Sequence, residues 1–323
     1  MATSAIALGQ LARAAFATES GSYGTPAAGS YRYAHYYKAN LRETKPIESD
    51  PIIGSGLNNY RDNGDVAPTL SEHGGSLELP LCLNQIGDWL RLVFGAPATS
   101  GATNFTHVFS SGALTLPSAT IELNPATNDF RQHVGCAVRS MKLDLADAPG
   151  YQRVMLDMLG YGENMLGSTG AGTPAAGKTY DPQGAALAEV LLGGAAVGVL
   201  MAASLTYETG LIQDRYIDGS GKFGGAVLAE QAQFFGDLRV RYTGPTLDAA
   251  ALAGTSQALQ IRFVKGANNS ISFDAPSCIL GRAGVAIEGP GGIEQTLPFR
   301  CKQTSGAAML AVTLKNQIAT YPA

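Results

Sequence analysis

The sharpest chemical pattern in this sequence is GTPAAGKT, residues 172–179, which fits G-x-x-x-x-G-K-[ST], the phosphate-cradling P-loop. Such a loop works when a strand leads in and a helix starts at the lysine, so that backbone N–H groups point at the phosphates. Here Tyr180, Asp181 and Pro182 follow, a poor start for a long helix, and no hydrophobic strand ending in a magnesium-binding aspartate comes after. The segment reads as a decoy in a flexible insertion, and Lys178→Ala is expected to leave assembly near wild type. The four histidines, His35, His73, His107 and His133, are scattered, with none in HExxH or beside a Ser or Cys motif. Glu43, Glu48, Asp62 and Asp65 sit in or beside a glycine-rich stretch without catalytic spacing and read as solvated loop charge. Cys82, Cys136, Cys278 and Cys301 make no CxxC and have no histidine at ligand spacing, which points to buried, reduced thiols in a cytoplasmically made protein. No enzyme signature survives, and neither a metal nor a cofactor is expected.

The elements around these residues are more informative. In residues 73–95, Leu77, Leu79, Leu81 and Leu83 alternate with Ser76, Glu78, Pro80 and Cys82. That period of two predicts a strand with the leucines on one face. Pro80 cannot donate to a ladder, so the strand is either an edge or bulged there. Asn84 then reads as an N-cap, and Ile86, Trp89, Leu90 and Val93 recur at helical spacing until Gly95. Residues 235–254 repeat the plan: Leu238, Val240 and Tyr242 alternate with Asp237, Arg239 and Arg241 before a short alanine-rich helix.

A hairpin is predicted at 136–160, where Met141, Leu143 and Leu145 oppose Ser140, Lys142 and Asp144 ahead of an Ala-Pro-Gly turn. It is echoed at 278–301 with Gly-Pro-Gly at the turn. The offsets run in order: Leu41 to Leu205 (205 − 41 = 164), Gly75 to Gly236 (236 − 75 = 161), Cys136 to Cys278 (278 − 136 = 142) and Gly150 to Gly292 (292 − 150 = 142). Ordered matches with one localised gap favour duplication. The expected organisation is a first β-rich unit with an N-terminal arm (1–163), a Gly/Ala-rich insertion or linker (164–194) and a second unit (195–323).

Composition agrees with a turn-rich β protein: 45% hydrophobic, 40 glycines and 16 prolines in 323 residues. Only 15% of residues are charged, a hint that much surface is buried against partners, and a net charge of −4 gives no grip on nucleic acid. Residues 1–17 lack a basic n-region and are interrupted by Arg13, so they do not read as a signal peptide. Residues 190–207 carry no charged residue and are nearly long enough to span a bilayer. They are mostly small residues without a Lys or Arg anchor, so a buried strand region is expected and no membrane insertion.

Four segments together resemble the tail tube (major tail) proteins of long-tailed, siphovirus-type bacteriophages: FATESGSYGTP near the start, LRETKPIESDPII before a long loop, GGSLELPLCLNQIGDWLRLVFG, and GGIEQTLPFRCKQ followed by AMLAVTLKN. The 162–194 insertion departs from that pattern. The resemblance implies a mainly β fold, here two tandem β-sandwich or barrel units, each with a short flanking helix. It also implies rings with a continuous inner β-barrel that stack into the tube carrying the genome into the host. The protein would sit in the virion tail, with a tape-measure protein inside the lumen during assembly. Tail terminator and distal tail proteins would cap the ends, and DNA would pass without specific binding. A secretion-tube or baseplate component of the same fold is the nearer alternative.

Strict alternation nominates lumen-facing residues opposite the leucines: Glu78, Lys142 and Asp144 in the first unit, and Arg239, Arg241, Glu288 and Glu294 in the second. A one-residue register error would reverse them all. The long loops nominate ring-stacking residues: Ile53, Asn58, Tyr60, Arg61 and Asp62, and in the echo Arg215, Tyr216 and Phe223. Two fused units per chain would supply two positions of a six-unit ring, so three chains would close it as a homotrimer with pseudo-sixfold symmetry. The alternative is a hexamer in which only one half forms the barrel.

Overall fold

Period-two alternation dominates this chain, and strands follow from it. The computed structural model describes residues 7–50, 65–146, 149–184, 188–214, 228–287 and 289–321. The first half runs β1 (Arg13–Thr18), β2 (Arg32–Tyr33), β3 (Lys38–Thr44), β4 (Ile47–Ser49), β5 (Val66–Pro68), β6 (Glu72–Pro80), α1 (Ile86–Phe94), β7 (Ala98–Gly101), β8 (Phe105–Ser110), β9 (Ala119–Ala126), β10 (Asp129–Ala146), β11 (Arg153–Leu159) and β12 (Gly162–Leu166). The second half runs β13 (Ala188–Leu192), β14 (Ala195–Ala196), β15 (Leu200–Glu208), β16 (Leu211–Ile212), β17 (Leu228–Ala229), β18 (Gln233–Arg241), α2 (Thr246–Ala253), β19 (Ser256–Gly266), β20 (Asn269–Leu280), β21 (Glu294–Cys301) and β22 (Ala311–Asn316).

The pairing repeats itself. In the first half the antiparallel order is β3-β6-β11-β10, and in the second it is β15-β18-β21-β20. The end of β10 then pairs with β15, from Ser140 opposite Glu208 to Ala146 opposite Ala202, so the two sets fuse into one long sheet. β10 and β20 each start in a second layer, where β10 pairs with β9 and β12, and β20 with β19 and β22. Two short hairpins stand apart from these layers, β4–β5 in the first half and β16–β17 in the second. Among the described residues, β3 is paired on one side only, by β6, so the sheet is open at that edge.

Two departures from the repeat matter. β8, from the first half, adds to β22 of the second half's outer layer. In addition β10 carries a bulge between Val138 and Ser140, which β20 lacks where it meets β21. That extra residue moves the matched turn by one: Asp157 faces Ser140 in the first hairpin, while Pro298 bonds Gly281 in the second. Pro149 therefore corresponds to Pro290 and Gly150 to Gly291, not to Gly292.

Beneath the sheet lies one continuous apolar core contributed by both halves. Leu77, Leu79, Met141, Leu143, Leu145, Leu238 and Val240 all point into it. α1 buries Ile86, Trp89, Leu90 and Val93, with Trp89 stacked on Phe16 at 4.6 Å and Phe94 4.7 Å from Tyr207 on β15. α2 is a lighter copy that buries only Ala251. Asn84 does not cap α1. The N-cap position is Gln85, in a helical conformation, and the Asn84 amide instead donates to the Thr179 carbonyl at 2.9 Å. Residues 190–207 form β13, β14 and most of β15, and among the described residues no helix is long and apolar enough to cross a membrane.

Where β6 passes β10, the rings of His73 and His133 meet at 2.9 Å, both buried. Burial, helped by His73 and then Arg131, pushes the His133 pKa down to about 3. Its imidazole is thus neutral in the folded chain, whereas in the unfolded chain it takes a proton near its ordinary value of about 6.5. The unfolded state binds more protons between those limits, so this contribution is intact above about pH 6.5 and is lost as pH falls toward 3. Urea unfolding is expected to show stability declining by about 1.4 kcal/mol per pH unit from this group below pH 6. His133→Gln should flatten that slope; an unchanged slope would place the acid sensitivity elsewhere.

Candidate functional site on the charged face of the sheet

Residues directly opposite one another on paired strands share a face. Glu78 faces Met155, Met155 faces Lys142, Lys142 faces Thr206, Thr206 faces Phe235 and Phe235 faces Arg300. That row crosses both halves of the chain on the side away from the leucines. Asp144, Ser204, Asp237 and Pro298 form the next row, and Arg241 faces Glu294. Glu78, Lys142, Asp144, Arg239, Arg241 and Glu294 therefore lie on one face. Glu288 lies outside the described residues, as do Ile53, Asn58, Tyr60, Arg61, Asp62, Arg215, Tyr216 and Phe223.

The face is laced with opposite charges. Glu78 receives Arg153 at 2.5 Å and Lys38 at 3.1 Å, and the Arg153 hydrogen bond, with Lys38 after it, holds the Glu78 carboxyl below its ordinary range. Lys142 lies 3.1 Å from Asp144, Arg139 Nε donates to Asp157 at 2.7 Å, and Arg239 approaches Glu294 at 3.9 Å. Exposed pairs of this kind add little stability. Their effect is on the field: interspersed signs leave no broad basic stripe to hold a polyanion. Arg153 also lies over the Tyr37 ring at 4.7 Å, and Arg300 over Phe235 at 5.4 Å.

The P-loop-like segment is not a flexible insertion. Residues 169–183 form a strap bound along its length to the first half. The N–H groups of Gly170 and Ala171 and the Thr169 hydroxyl donate to the Glu122 carboxylate. Tyr33 N–H donates to the Ala175 carbonyl, and Ala175 N–H to that of Tyr31. Leu83 N–H donates to the Asp181 carbonyl, and Gln183 N–H to that of Leu81. Lys178 is half-buried, with its side chain largely shielded and its amine 2.8 Å from Asp88 on α1 and 4.0 Å from the centre of the Tyr321 ring. Burial raises the Asp88 carboxyl and lowers the Lys178 amine, each opposed by the other's charge. The lysine of a P-loop must reach a phosphate; this one is committed to a carboxylate, and no helix begins at it. Asp181 carries the strap on to the second half by an ion pair with Lys265 and a 3.0 Å bond from Asn269. Sequence reasoning missed the strap because its partners, Asp88 and Tyr321, are remote in the chain.

None of the curated proteins compared with this chain matches it. The profile of the family described as phage tail tube protein matches residues 9–301. It covers both halves of the sheet, the strap and both helices. The chain belongs to the phage tail tube protein family.

Proposed function

We propose that this chain builds the wall of a phage tail tube as a ring of three chains, each supplying two four-strand units, and that stacked rings form the conduit for genome delivery. The observation that carries this reading is the side-by-side repetition of β3-β6-β11-β10 as β15-β18-β21-β20, joined by β10–β15. Two units already docked as neighbours are what a pseudo-sixfold ring requires. The charged face carrying Glu78, Lys142, Asp144, Arg239, Arg241 and Glu294 lines the channel, and the leucine face with its helices lies outward. DNA slides past paired charges without being held, and a tape-measure protein occupies the lumen during assembly. Terminator and distal tail proteins cap the two ends. The long loops rising from the β4–β5 and β16–β17 hairpins reach the adjacent ring.

The test is electron microscopy of the purified chain and of a variant lacking residues 53–62. The full chain is expected to form tubes of uniform bore. The deletion should retain its circular dichroism spectrum while failing to stack. Normal tubes from the deleted chain would remove the stacking role from this loop, and an absence of tubes from the full chain would contradict the reading as a whole.

A further inference from the structure

The fused sheet contains its own template for the junction between chains. At the internal seam, residues 140–146 of β10 take β15 on their free side. The counterpart of β15 in the first half is β3: Leu205 faces Gly236 as Leu41 faces Gly75. The counterpart of residues 140–146 in the second half is residues 281–287, because Gly281 bonds Pro298 where Ser140 faces Asp157. Among the described residues no strand lies on the side of residues 281–287 away from β21, and the segment is not itself part of a strand. It is exposed, with Ile287 76% accessible and Val285 39%. It nonetheless stays near β21, since the Gln295 amide donates to the Gly284 carbonyl at 3.3 Å. Among the described residues β3 likewise has no strand on its outer side; there the Glu43 N–H donates to the Glu163 carboxylate at 3.1 Å, a contact that pairing along the whole of β3 exchanges for a backbone carbonyl.

We infer that residues 281–287 become a strand on assembly by pairing antiparallel with Lys38–Thr44 of a second copy of this chain, in the register of the internal seam. Transferring that register sets Gly284 opposite Leu41, as Leu143 faces Leu205, and Val285 opposite Asn40, as Asp144 faces Ser204. Gly284 has φ 75 in the single chain, outside the strand region. Glycine crosses between the two conformations at low cost, so the segment can wait irregular and straighten when its partner arrives. Two open edges that each lack the neighbour the other supplies make a head-to-tail contact, and repetition of that contact closes a ring. The inference rests on the tube reading and adds to it the two segments that meet and their register.

The register is testable by cross-linking. Thr209 N–H donates to the Arg139 carbonyl, so counting along the ladder makes Asp144–Ser204 a non-hydrogen-bonded pair. Such pairs have Cα atoms about 4.5 Å apart, within disulfide range. The chain carrying Val285→Cys and Asn40→Cys is assembled and treated with oxidised glutathione. Each new bond converts two thiols to a disulfide and releases two reduced glutathiones. Covalent joining of separate chains is expected on a non-reducing gel. Asp144→Cys with Ser204→Cys should cross-link within one chain as the internal reference, and Val285→Cys with Lys38→Cys should join chains far less. Tubes without chain-to-chain cross-links, or preferential joining of the shifted pair, would overturn the seam while leaving the tube reading standing. If the cysteine variants do not assemble, amide exchange on the wild-type chain decides: residues 281–287 and 38–44 should both lose deuterium uptake on going from single chains to tubes, and unchanged uptake in either overturns the seam. Failure of the wild-type chain to assemble at all would count against both readings.

Discussion

Lys178→Ala is expected to destabilise the folded chain by about 3–5 kcal/mol, the cost of leaving one member of a buried ion pair without its partner. Lys178 and Asp88 are largely shielded from water, with side chains 9% and 14% accessible, and the amine also rests on Tyr321. Removing it strands the Asp88 carboxylate against α1 and loosens the strap from both halves. Urea titration at pH 7 should show a lower midpoint with little change in slope. Acidification should narrow the gap to wild type, because burial already raises the Asp88 carboxyl and the variant can neutralise it by taking up a proton. The paired change Asp88→Leu with Lys178→Met should recover much of the loss, since a well-packed apolar pair can replace a buried ionic one. A near-wild-type midpoint for Lys178→Ala would mean the strap is dispensable.

The second large effect is expected at the matched glycines of β6 and β18. A Cβ at Gly75 would lie 1.8 Å from the Asn40 carbonyl oxygen, and one at Gly236 would lie 1.9 Å from that of Ser204. Asn40 and Ser204 stand at corresponding positions of β3 and β15, so the same close backbone approach is built twice. Neither obstacle is the tip of a side chain that could swing aside; the neighbouring strand itself must move. Overpacking of this kind costs about 1–3 kcal/mol. Gly75 adds strain because its φ of 146 is one that residues with side chains rarely adopt. Gly75→Ala and Gly236→Ala should each lower the thermal midpoint, whereas Gly198→Ala, with nothing within 4 Å of its Cβ, should not. Equal midpoints for all three would contradict the close approach.

Much of the sheet was legible because its signal is local. Leucines at 77 and 79 announce the buried face of β6, although the strand ends at Pro80, short of Leu81 and Leu83, and is paired on both sides rather than being an edge strand or bulged; the Pro-Gly turns at 149–150 and 290–291 announce the hairpins. The match of Gly75 with Gly236 was legible for the same reason, since each precedes the period-two residues of its strand, but the close backbone approach at both was not. What escaped was non-local or low in contrast. β13 is a five-residue strand within an Ala/Gly-rich region, and nothing in its period marks β19 as its partner. The β7–β8 hairpin joins the far half of the chain, which no local pattern encodes. The bulge after Val138 shifts the hairpin correspondence by one residue, a step that similarity of the two turns could not reveal. His73 and His133 looked scattered because 60 positions separate them in the chain.

Cryo-electron microscopy of assembled tubes, with the chains in one ring counted and traced, tests the central claim most directly. The account predicts three chains per ring, each contributing two adjacent units, with Glu78, Lys142, Asp144 and Arg239 lining the channel and the leucines turned away from it. Six chains per ring, or leucines 77, 79 and 81 facing the lumen, would contradict it.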